Sequence, residues 1–278
     1  MQTLNGFFDH IDHNWMIKFL EYNIKDPNII GLVKKYLKAG IMDKGQYVAT
    51  EEGSAQGNII SPVLANIYMH FVLVLWYKEI IEKRAEGENF LVVYADDFIA
   101  GFQYQREAEA YYKVLKNRMS KFGLELESSK SKIIKFGKFA EQNRKALGQG
   151  KPETFDFLGF THYCSKSKDK KRFRVKRKTS KKKYAKKLQE YSDWAKKNRY
   201  CKSLKEIVET TKRKLIGHYN YFGITDNSQA LVKYTHEVIK ILFKWLNRRS
   251  QRKSYTWEEF QQMLKTLQFP KSKIKVNI

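Results

Sequence analysis

The sequence predicts an α+β domain over residues 1–165, followed by a strongly basic, all-α region. Three observations carry this reading. Two runs of β-forming residues, Phe90 to Tyr94 and Phe98 to Phe102, flank Ala95-Asp96-Asp97, which predicts a tight hairpin. Apolar residues recur at three- and four-residue spacing through 13–22, 28–38 and 105–122, and again through 181–199, 202–222, 229–248 and 256–267, which predicts helices. The charge is uneven. Residues 1–139 hold 18 Lys/Arg and 17 Asp/Glu, a net of +1, whereas residues 140–278 hold 36 and 12, a net of +24.

Taken in order, the first nine residues read as an apolar segment, as expected of a chain that opens inside a domain. Residues 44–50 read as a short strand or loop, and 53–58 as a glycine-bearing loop. Residues 58–83 predict one long, mostly buried helix, with Pro62 tolerated near its first turn. After the hairpin, the helix over 105–122 stops at Gly123. Residues 132–136 and 155–162 are further strand candidates. Residues 166–187 read as a basic linker, and 188–278 as a helical region.

At 278 residues, 42% hydrophobic and 14% aromatic, the chain can bury a core and is no disordered tail. Cys164 and Cys201 are its two cysteines and form no CxxC pair, which argues against zinc ribbons and disulfide frameworks and fits a reducing, cytoplasmic setting. No run of 18 uninterrupted apolar residues exists. The nearest, 59–77, contains Ser61, Pro62, Asn66 and His70, so no membrane span is expected.

The adjacent acids Asp96 and Asp97 are the most informative feature. Two like charges at the tip of an apolar hairpin are costly unless cations neutralise them. Mg²⁺ takes oxygen ligands, commonly one or two carboxylates plus substrate phosphates. Two such ions serve phosphoryl transfer. Aspartate is also common in turns for conformational reasons alone, so the pair needs support from elsewhere in the chain.

That support is a resemblance. Tyr94-Ala95-Asp96-Asp97 resembles the YxDD box of reverse transcriptases. The segment Gly53-Ser54-Ala55-Gln56-Gly57-Asn58-Ile59-Ile60-Ser61-Pro62 and its continuation to Tyr68 resembles the preceding palm motif of group II intron reverse transcriptases. Gly6-Phe7-Phe8-Asp9-His10-Ile11-Asp12-His13 resembles the end of their first palm motif. Phe122 to Leu126 with Lys130, Phe155 to Phe160, Gly217 to Gly223, Arg248 to Gln251 and Thr256-Trp257 are similar to later segments, in order. The motifs extend along nearly the whole chain. The resemblance implies a palm of antiparallel sheet backed by helices over 1–165 and a helical thumb or maturase region (domain X) over 188–278. It implies copying of RNA into DNA with Mg²⁺ and deoxynucleoside triphosphates on an RNA/DNA template-primer, and assistance to splicing of an intron RNA, in a bacterial cytoplasm.

The resemblance also assigns residues. Asp96 and Asp97 match the metal-binding pair, Gln56 and Gly57 the loop lining the nucleotide and template site, and Lys130 a lysine near the triphosphate. Either Phe7 or Phe8 matches the aromatic that excludes a ribose 2′-hydroxyl. Asn66 matches a helix position facing the site. One match fails: the family's first palm motif begins with a third metal-binding aspartate, and that position here is Thr3, whose neutral hydroxyl cannot replace a carboxylate. The family's fingers precede this motif. The expectation is therefore an N-terminally truncated copy that polymerises poorly or not at all alone. No Cys- and His-containing endonuclease segment follows residue 267, so DNA cleavage is not expected.

In the basic half, cations are interleaved with aromatics, the pattern of a polyanion-binding surface. Lys176, Arg177, Lys178, Lys182, Lys183, Arg213, Arg248 and Arg249 are the expected RNA contacts. His218, Tyr219 and Tyr221 are either RNA contacts or packing. Most aromatics there must be core, because they lie on helices.

Overall fold

The computed structural model describes all residues except 1, 40, 44–45, 49–52, 54–58, 130, 168, 170, 251–253 and 278. The chain forms two compact units, Met1–Ile134 and Lys135–Ile278.

In the first unit, β4 (Asn89–Tyr94) and β5 (Asp97–Phe102) form the expected antiparallel hairpin, with Tyr94 opposite Asp97. A short strand β1 (Gln2–Thr3) pairs with the other edge of β5. The sheet order is thus β1-β5-β4, and β5 is central. Helices α1 (His13–Asn23), α2 (Pro27–Leu37) and α5 (Gln105–Lys121) fall where the periodicity predicts them. Their starts are chemically marked. The Asp12 side chain accepts from Trp15 N–H at 2.9 Å, and Asp26 precedes Pro27 at the first helical position. The strands β2 (Ile41–Asp43) and β3 (Gln46–Val48) form a small separate hairpin.

The long helix is present but not uniform. α3 (Ser61–Met69) continues through two wide π-helical turns, His70–Val74 and Tyr77–Ile81, into α4 (Glu82–Arg84). Arg118 reaches over from α5 and donates to the carbonyls of Val72 and Phe71 at 2.9 and 3.2 Å, in the first wide turn. The span Ser61–Arg84 is long and apolar enough to cross a bilayer. Its Leu64, Tyr68, Met69, Val72, Leu73 and Tyr77 are instead buried in the core with Phe7, Ile11, Met16, Phe98, Leu115 and Phe122.

In the second unit, β6 (Phe155–Phe157), β7 (Phe160–Lys166) and β8 (Phe173–Thr179) form an antiparallel sheet in that order. Two expectations are corrected here. Residues 155–162 are not one strand but a hairpin turning at Leu158-Gly159, both at positive φ (49° and 78°), as a two-residue turn requires. The basic stretch 166–187 is not an irregular linker. Phe173 and Val175 alternate with Arg174 and Lys176, giving a strand, and Ser180 caps the start of α7 (Lys181–Asn198). A third correction lies at residues 132–136, which form no strand; Phe136 packs its ring against Phe155 of β6 with centroids 5.1 Å apart, a side-chain contact in place of a ladder. A short helix α6 (Ala140–Ala146) was not expected.

Helices α8 (Leu204–Phe222), α9 (Ser228–Leu246) and α10 (Trp257–Thr266) complete the unit, with capping boxes Ser203–Glu206 and Thr256–Glu259 at the starts of α8 and α10. One buried polar residue ties sheet to helices. The Asn227 side chain accepts from Thr179 N–H at 2.8 Å and donates to Thr179 Oγ1 and the Phe222 carbonyl at 2.8 and 3.0 Å. Removing it strands a buried N–H, so Asn227→Ala is expected to cost about 2–4 kcal/mol in denaturant unfolding.

His218 is 5% exposed and stacks on Tyr234 with centroids 3.7 Å apart. Burial, with the Lys187 charge behind it, pushes its imidazole down to about 4. The unfolded chain therefore takes up this proton first. Its contribution to stability is full above the ordinary histidine value of 6.5 and is lost as pH falls from there towards about 4. His218→Phe keeps the stack and is expected to flatten the fall in melting temperature between neutral and acid pH.

Candidate active site

The hairpin turn places the two acids. Ala95 and Asp96 are the turn residues, and Asp97 opens β5. Ala95 takes φ 50°, a left-handed conformation that costs an L-residue about 1–2 kcal/mol. Asp96 and Asp97 are both partly exposed, while the next residue, Phe98, is fully buried. The acids therefore sit where the core ends.

β1 lies against this turn. Thr3 is the direct partner of Asp97, and the Leu4 N–H donates to the Asp96 carbonyl at 3.2 Å. Residue 3 is thus directly across the ladder from Asp97. Among the described residues no group of three or more His, Cys, Asp or Glu forms a metal cluster. Two adjacent carboxylates offer hard oxygen ligands and suit an ion that takes its remaining ligands from substrate phosphates. Asp12 is not a candidate ligand, since it caps α1.

The two aromatic candidates separate cleanly. Phe7 is 2% exposed and packs against Tyr68, whereas Phe8 is partly exposed. Both lie in the turn Phe7–Asp9, which follows Gly6. Gly53, at the root of the next motif, is pinned to this turn. Its N–H donates to the Ile11 carbonyl at 2.9 Å, and its carbonyl lies 2.7 Å from His13 Nε2. A Cβ on Gly53 would meet the Asp9 and Phe8 carbonyl oxygens at 2.8 and 2.9 Å, and its φ is +85°. Gln56, Gly57 and Lys130 lie outside the described residues. Asn66 is exposed and lines an apolar cleft of about 390 Å³ with Phe19, Val63 and His70.

The basic residues divide by surroundings. Arg174, Lys176 and Lys178 share one face of β8, and Lys178 lies over the Tyr163 ring at 5.2 Å. Arg174, which the sequence reading did not single out, joins Lys176 and Lys178 on that face by alternation. Arg177 is on the opposite face, paired with His162, whose imidazole is held low by burial and then by that charge. Lys182, Lys183 and Arg213 are exposed on α7 and α8. Tyr221 is also exposed, with its hydroxyl donating to the Leu158 carbonyl. Of the two roles open to His218 and Tyr219, packing is the one the structure shows: both are buried with Phe222, Leu231 and Tyr234 and are not placed to meet RNA. Arg248 is exposed. The Arg249 guanidinium donates to the carbonyls of Arg199 and Lys202, beyond the end of α7.

Known proteins give the class first: the profile of the reverse transcriptase (RNA-dependent DNA polymerase) family matches residues 3–162. The group II intron-encoded protein LtrA of Lactococcus lactis subsp. cremoris is 46% identical over 79 residues, 27% of this chain and 13% of that protein. The putative COX1/OXI3 intron 2 protein of Saccharomyces cerevisiae is 29% identical over 162 residues, 58% of this chain and 16% of that protein. Protein YkfC of Escherichia coli is 37% identical over 67 residues, 24% of this chain and 18% of that protein. The match thus spans less than a fifth of each relative. The chain belongs to the reverse transcriptase family, and its relatives place it with the intron-encoded reverse transcriptases and maturases.

Gly53→Ala is expected to destabilise the first unit by about 2–3 kcal/mol, since both contacts are backbone and the φ is positive. The measurement is equilibrium unfolding followed through the aromatic signal of the first unit.

Proposed function

We propose that residues 1–165 form a reverse-transcriptase palm that copies RNA into DNA, and that residues 188–278 form a thumb and maturase region holding intron RNA. The observation that carries the catalytic part is the turn that holds Asp96 and Asp97 together at the edge of the core, beside β1. Asp96 and Asp97 would hold Mg²⁺. The chemistry that Mg²⁺ supplies there is activation of a primer hydroxyl and neutralisation of charge on a deoxynucleoside triphosphate. Phe8, not the buried Phe7, would crowd a ribose 2′-hydroxyl. Gln56 and Gly57 would line the template and nucleotide, and Lys130 would approach the triphosphate. On the second unit, the half-buried Lys176 and the exposed Lys178, Lys182, Lys183, Arg213, Tyr221 and Arg248 would meet RNA, with phosphates neutralised together.

A second reading has its own observation. Thr3 stands opposite Asp97 where a third carboxylate would complete the ligand set, which favours a splicing cofactor that binds RNA without polymerising. Primer extension on an RNA template separates the two. The polymerase reading expects weak extension that Asp96→Asn or Asp97→Asn abolishes with RNA binding retained. It also expects Thr3→Asp to raise the rate by about tenfold or more. No extension by either wild type or Thr3→Asp, with RNA still bound, would establish the cofactor reading. Phe8→Ala in an extending variant is expected to admit ribonucleotides, whereas Phe7→Ala is expected to cost stability by opening a cavity.

A further inference from the structure

The ends of α7 and α9 converge on one indole. Lys196, Arg199, Lys244 and Arg248 lie 6.0, 5.1, 5.2 and 5.5 Å from the centroid of Trp245. Arg199 also covers the Tyr200 ring at 4.5 Å, and Tyr200 is still 62% exposed. Four positive groups around one ring repel each other. Each cation–π contact returns only about 0.5–1 kcal/mol at an exposed site. None of the ion pairs among the described residues uses any of these cations. The Arg199 Nε is buried without a hydrogen-bond partner there.

A bland reading is that these cations answer the negative ends of two helices. Each helix end carries roughly half a charge, so four cations leave a clear positive excess. The frame around them is also fixed. The Tyr200 hydroxyl donates to the Arg248 carbonyl at 2.9 Å, Arg249 bonds the carbonyls of Arg199 and Lys202, and Trp245 Nε1 donates to Ser192 Oγ at 3.2 Å. A preorganised positive cluster loses little entropy on meeting an anion.

We infer that Lys196, Arg199, Lys244 and Arg248, held around Trp245, form a site for the backbone of single-stranded RNA, with an unpaired base stacking on Tyr200. Several convergent cations suit successive phosphates, and an exposed ring at their edge suits a base freed from a duplex. This deepens the reading of the second unit as an RNA holder and rests on it. It does not depend on catalysis at Asp96 and Asp97.

The test uses the full chain and a labelled single-stranded oligoadenylate RNA, with affinity read by fluorescence anisotropy across a salt series. The double variant R199Q/R248Q is expected to bind about tenfold more weakly, with a salt slope smaller by about two. Y200L is expected to lose about fivefold or more, and Y200F, which lacks only the hydroxyl tie, to keep most of the affinity. The control K265Q/K271Q removes equal charge from the C-terminal segment and is expected to change affinity by no more than about twofold. Circular dichroism establishes that each variant is folded; should the arginine pair fail to fold, the Y200L and Y200F comparison decides. Wild-type affinity and slope in folded R199Q/R248Q and Y200L would overturn this site while leaving RNA binding by the unit intact. Equal losses in the control would also overturn it. No binding by the wild type, or binding only to anionic lipid vesicles, would overturn the site together with the RNA reading of the second unit, leaving primer extension to judge the first.

Discussion

The clamping of β5 between β4 and β1 is the constraint on which the candidate site depends. A two-stranded hairpin is marginal in water. β5 gains a second partner in β1, and Phe98 anchors it in the core one residue past the acid pair. Beside that anchor the turn holds Ala95 in a left-handed conformation, with Asp96 and Asp97 next to it in the chain. The same ladder brings residue 3 opposite Asp97.

Much of this was legible in the sequence because local signals and long-range packing agree. The hairpin announced itself by β-formers on both sides of a short polar turn. The helices announced themselves by apolar residues at three- and four-residue spacing. The failures share a cause. Charge concealed β8, because Phe173 and Val175 alternate with arginines and lysines in a stretch that composition alone reads as solvated. The strand candidate at 132–136 failed because strand propensity alone does not build a ladder: Phe136 meets β6 through its ring and not through its backbone. The wide turns in the long helix left no mark in the periodicity.

The site was legible by residue type but not by placement. Adjacent aspartates were visible; that Thr3 faces Asp97 required the register. Phe7 and Phe8 were indistinguishable as neighbours in sequence, and burial separates them. In the second unit an aromatic among lysines reads the same whether it packs or binds. His218 and Tyr219 went to the core, while Tyr200 and Tyr221 stayed at the surface. Arg249 shows the same ambiguity for cations, since its charge holds two loop carbonyls.

The central claim is that two neighbouring acids on a rigid turn gather divalent cations for a triphosphate. Mn²⁺, an oxygen-seeking ion with the same preferences as Mg²⁺, reports this by electron paramagnetic resonance. Titrating Mn²⁺ into the chain with a template-primer and a deoxynucleoside triphosphate should show bound ion in excess of the same mixture without protein, and that excess should disappear in the Asp96→Asn/Asp97→Asn variant. Bound Mn²⁺ that is unchanged in that variant would contradict the account.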